Sequence, residues 1–136
     1  MGTWQVGPFD NDVAMDFFDE IEETPDPEVP AKLSLVLSAV AERPGRVELA
    51  EGHLAVAAAG LVAAGRSRSA ATGNPSVDEW LAVHRPVTDT ACARLALAAL
   101  DRVGGADSEW MDLWATTDNQ EAVRERLAEL RAVLAG

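Results

Sequence analysis

The sequence has no tyrosine, one cysteine and one lysine in 136 residues. The lone Cys92 excludes an internal disulfide and suits a reducing compartment. Basic residues are scarce altogether: 11 Lys and Arg stand against 23 Asp and Glu, a formal net charge of −12. Binding a phosphate backbone releases counterions through Lys and Arg, so this balance argues against nucleic acid. It disfavours anionic membranes for the same reason. The most apolar run, Leu54 to Ala64, is too short and too rich in alanine to span a bilayer. The N-terminus has neither the basic region nor the apolar stretch of a secretory signal. These absences predict a cytoplasmic protein whose electrostatically favoured partner is a basic protein.

Strand signals are nearly missing too, while helix punctuation recurs along the whole chain. With 48% apolar and 25% charged residues, the composition is that of a folded domain with a core of its own. Residues 10–23 place Val13, Ala14, Phe17, Phe18 and Ile21 on one helical face and carboxylates on the other. Asp10 or Asn11 is the expected N-cap, and Phe9 before it is placed to fold back as a staple. "TPDPEVP" at 24–30 reads as a stiff connector, because its prolines fix φ and remove donors. A second helix is expected from Pro30 to Glu42, with Leu33, Val36, Leu37 and Val40 inward, and "RPG" at 43–45 stops it.

The third helix, from Glu48 to Ala64, is apolar almost all round beyond His53, which marks it as central. "GRSRSAATGNP" at 65–75 is the longest loop; its Ser67 and Ser69 sit among arginines but lack P-loop glycine spacing, so a mobile surface loop is expected. Ser76 and Glu79 have the spacing of a capping box for a short helix ending before Pro86. Thr88 or Asp89 caps a fifth, whose stripe is Ala91, Cys92, Leu95, Ala99 and Val103, stopped by "GG" at 104–105. "SEWMDLW" at 108–114 is one or two turns. Asp118 and Glu121 are the expected cap pair of a last helix that turns Val123, Leu127, Leu130 and Leu134 inward. The expectation is all-α: one domain, 1–136, a bundle of six to seven helices around an alanine-rich centre.

Three stretches carry a resemblance. "MGTW…GPFDND.A.DF" at the start, "ELAEGHLAVAAAGLVAA" in the middle and "DSEWMDLW" before a Leu-rich final helix are similar to bacterial proteins of domain of unknown function 4259. The resemblance covers most of the chain in the same order and implies no activity. Gln5 stands where the family usually has glycine, and His53 where a small or acidic residue is expected, so no role is carried over by position.

The largest anomaly is the distribution of charge. Residues 1–31 hold nine carboxylates and no Lys, Arg or His, whereas the other 105 hold 14 acids against 11 bases. Asp12, Asp16, Asp19, Glu20 and Glu23 are the candidate partner-binding residues, and a solvated face that keeps the protein soluble is the plainer reading. Such a module would be non-enzymatic, by analogy an immunity-type or regulatory protein. Trp4, Phe9, Asp10, Asn11, Trp80, Trp110 and Trp114 are the candidate anchors, with residues 1–9 forming the loop that fixes where the acidic helix emerges.

A metal on Asp12, Asp16 and Glu20 is the sharper alternative, but "DND" lacks the glycine and distal glutamate of a calcium loop, and no cofactor is expected. His53 beside Glu48 and Glu51 would be the acid–base centre of an enzyme working in an inter-helix cleft. His84 has a reason to sit at a helix end, and Cys92 lies on an apolar stripe without an activating neighbour. Nothing has the spacing that catalysis requires, so the balance leans away from an enzyme. A homo-oligomer stays open.

Overall fold

The computed structural model describes Phe9, residues 11–67, Thr72 and residues 74–136. Among them seven α-helices follow one another: α1 Asp12–Glu22, α2 Val29–Ala41, α3 Leu49–Arg66, α4 Pro75–His84, α5 Thr90–Val103, α6 Glu109–Ala115 and α7 Gln120–Ala135. The expected all-α bundle is present. None of these helices is long and apolar enough to cross a membrane. Trp4, Asp10 and the rest of the expected anchoring loop at residues 1–8 lie outside the described residues, as do 68–71 and 73 of the 65–75 loop.

The centre is α3, which touches α1, α2, α5, α6 and α7. Every residue from Ala55 to Ala64 is buried, so no face of that stretch meets water. Alanine makes this possible, because a side chain of one carbon lets neighbours approach from several sides at once. The first turn of α3 is different. There Glu48 and Glu51 close a capping box, each side chain accepting from the other's backbone N–H. Leu49 N–H, still an orphan at that end, donates to Glu109 Oε1 at 2.7 Å.

Several helix starts differ from expectation, each for a local reason. The 24–30 connector contains a 3-10 turn, Asp26–Glu28, that runs directly into α2. The fourth helix begins at Pro75 and not at Ser76: Asn74 Oδ1 accepts from Ser76 N and Val77 N, and Pro75 needs no hydrogen-bond partner for its nitrogen. Asp118 and Glu121 make no cap either. Asn119 is the N-cap of α7, without a side-chain cap bond. In α5, Ala91 faces solvent and the buried stripe is Cys92, Ala93, Ala96, Ala99, Leu100 and Val103. Thr72 is no surface residue: it is buried, and both its backbone N–H and its hydroxyl donate to Asp78 Oδ1.

Candidate functional site

The acidic helix is held from below. Asn11 Oδ1 accepts from Ala14 N at 2.8 Å and starts α1. Ala14, Phe17, Phe18 and Ile21 are then buried along one face, and Val13 is half-buried. Phe18 sits edge-on between two other rings, 6.0 Å from Phe9 and 5.8 Å from Trp80. Trp80 in turn stacks on His84 at 5.5 Å. The row ends where His84 Nδ1 donates to the Asp26 carboxylate, 2.9 and 3.0 Å from its two oxygens. Four aromatic rings thus tie α1, its connector and α4 into one unit.

Asp12, Asp16, Asp19, Glu20 and Glu23 all face solvent on the other side of α1. Lys32 Nζ lies 3.7 Å from Glu20 Oε1, a loose pair. Asp12, Asp16 and Glu20 follow one another at four-residue spacing, as do Asp19 and Glu23. Like charges so placed repel by a few tenths of a kcal/mol per pair in an isolated helix. Among the described residues there is no group of three His, Cys, Asp or Glu that could hold a metal ion.

The other candidate centre comes apart. Glu48 and Glu51 both pair with Arg43, at 3.1 and 2.9 Å. His53 turns to α6, where Trp110 Nε1 donates to its Nδ1 at 3.2 Å. Burial holds the His53 pKa below its ordinary value, so the neutral ring that accepts from Trp110 is favoured. Gly52 makes this contact possible, since a Cβ there would lie 2.5 Å from Trp110 Cβ. A cleft of about 430 Å³ does open between α2 and the segment before α5, but Pro30, Ala31, Ser34, Val87, Thr88, Asp89 and Cys92 line it, and His53 does not. Cys92 is buried, and Ser34 Oγ donates to its sulfur at 3.4 Å.

Around Arg43 the structure assembles contacts that no local pattern announces. Val47 and Ser108 form an isolated parallel bridge, with Val47 N donating to Asp107 O and Glu109 N to Val47 O. Arg46 pairs with Asp112 and, at 3.7 Å, with Asp107. Arg102 reaches across from α5 to the carbonyls of Arg43 and Gly45. Ser108, fully buried, accepts from Met111 N and caps α6. Apart from that local cap, these partners lie some sixty residues apart in the chain, beyond the reach of helix periodicity.

The sequence profile of domain of unknown function DUF4259 matches residues 2–126. The chain belongs to that family. The DUF4259 match runs from before α1 into α7, so the acidic helix and the Arg43 corner are both inside the family's domain. No curated protein and no solved structure matches the chain.

Proposed function

We propose that the chain is a non-enzymatic interaction module, of immunity or regulatory type, that docks a basic protein on α1 and the connector after it. One observation carries this: Asp12, Asp16, Asp19, Glu20 and Glu23 all stand in solvent on a helix whose other face is locked into the core. A rigid row of like charges loses little ordering entropy when an opposite surface arrives. It also steers a cationic partner in from a distance. The reading includes a cytoplasmic location, which the buried free thiol of Cys92 suits.

The test compares wild type with a variant carrying Asp12, Asp16, Asp19 and Glu23 changed to Lys, each used to capture proteins from host lysate at low and moderate salt. Circular dichroism first establishes that the variant keeps its helices. Basic proteins held by wild type, released by salt and lost by the variant support the reading. The same proteins on both columns would falsify it.

A further inference from the structure

The outer surface of α2 and α5 is unlike the rest of the molecule. The two helices lie side by side and point the same way: Ser34 meets Cys92 near their starts, and Arg102 reaches Arg43 and Gly45 near their ends. In a chain of net charge −12, all of α2 and residues 90–100 of α5 carry two charges, Lys32 and Arg94, both positive. Yet α2 is not a central helix. Ala31, Leu35 and Ala39 are all exposed at four-residue spacing along its outer surface, and Leu35 is 70% exposed. A helix this apolar on all sides ordinarily has a neighbour on each of them.

We infer that this face pairs with the same face of a second copy of the chain, α2 lying antiparallel across its mate on a two-fold axis near Leu37. Charge selects the occupant. Two acidic copies repel wherever their carboxylates meet, and between Glu28 and Glu42 α2 carries none. In that register positions whose numbers sum to 74 oppose one another. Leu35 of each copy then sits against the small Ala39 of the other, and Lys32, whose pair with Glu20 of its own chain is loose at 3.7 Å, against Glu42, each contact made twice by symmetry. Glu42 is exposed and makes no ion pair among the described residues. The aligned small residues Ala31, Ser38 and Ala39 let the two backbones come close.

Sedimentation velocity on the full chain, from micromolar to millimolar concentration, tests this pairing. Wild type is expected to dimerise, and more strongly as salt rises, because salt screens repulsion between the copies while leaving apolar burial intact. That dependence is opposite in sign to docking of a basic partner on α1, so the two readings fail separately. Leu35→Asp should be monomeric throughout and melt as wild type does at the lowest concentration, since the side chain is exposed in the monomer. Lys32→Glu should weaken the dimer about three- to tenfold, and Lys32→Glu with Glu42→Lys, which restores the net charge, should recover it. A wild type monomeric at millimolar concentration overturns the inference. So does a Leu35→Asp dimer of full strength, or a double reversal no tighter than Lys32→Glu.

Discussion

Two regions of this molecule are about equally rich in carboxylates and use them in opposite ways. At the Arg43 corner Glu48, Glu51, Asp107, Glu109 and Asp112 each have a guanidinium or a backbone N–H to meet. Among the described residues, the five carboxylates of α1 share one loose ion pair, with Lys32. The corner spends its charge on joining α3, α6 and the turn between α2 and α3. The acidic helix is fixed by its apolar underside and the Asn11 cap, and leaves its charge outward. Counting Asp and Glu along the chain does not distinguish these cases; what distinguishes them is whether the fold brings a cation.

The hardest way to break the comparison is to remove the platform under α1. Phe18 is 1% exposed and packed between Phe9 and Trp80. Phe18→Ala should cost about 3–5 kcal/mol, the usual range for a large aromatic lost from a core. Hydrogen exchange should show protection falling most in α1 and α4 and least around the Val47–Ser108 bridge. Uniform loss would mean that the aromatic row does not hold α1 as a unit of its own.

Breaking the corner should cost less. Gly52→Ala drives a methyl into Trp110, whose Cβ would lie 2.5 Å away, and should cost about 1–3 kcal/mol as overpacking does. The same variant should disturb the Trp110–His53 hydrogen bond and change tryptophan fluorescence. His53 sharpens the picture through pH. Its folded pKa is lowered by burial, so the unfolded chain binds the extra proton between that value and the ordinary 6.5 or so. Stability is therefore complete above the ordinary value and is lost as pH falls through that window. In His53→Gln this part of the acid sensitivity should be absent from the melting curve. Arg43→Ala, which removes the pairs to Glu48 and Glu51 and a bond to Arg46 O, should cost about 1 kcal/mol, because the group is partly solvated.

The same contrast explains what could be read from the chain beforehand. The underside of α1 obeys a 3.6-residue period and has a cap three residues from the N–H it satisfies, so Phe17, Phe18 and Ile21 were legible, and Asn11 as one of two cap candidates. At the fourth helix the spacing of Ser76 and Glu79 points to a later start, because it leaves Asn74 unread as a cap. Asn74 prevails because its side chain caps two N–H groups at once. The corner was invisible for another reason: Val47 and Ser108, His53 and Trp110, Arg102 and Gly45 are brought together by tertiary packing, which leaves no trace in local spacing. Glu48 and Glu51 suggested an acid–base pair with His53, and Arg43 took both instead.

The smallest expected effects lie on α1, and their signs are the most informative. A helix end favours charge opposite to its dipole: carboxylates stabilise the first turn and oppose the last. Asp12 is in the first turn, whereas Glu22 ends the helix and has no basic residue near it in the last turn. Asp12→Asn should therefore destabilise by a few tenths of a kcal/mol, and Glu22→Gln should stabilise by a similar amount. Both differences should shrink with salt. The corner behaves otherwise: Glu51→Gln keeps an acceptor for Glu48 N–H but loses the charge that pairs with Arg43 and suits the first turn of α3, so it should destabilise. A stabilising Glu22→Gln, measured beside a destabilising Glu51→Gln, would show that the late carboxylates of α1 are kept at a cost to the fold. Equal losses at both sites would mean that the α1 carboxylates are as well partnered as those at the corner, and the acidic helix would lose its claim to be a docking face.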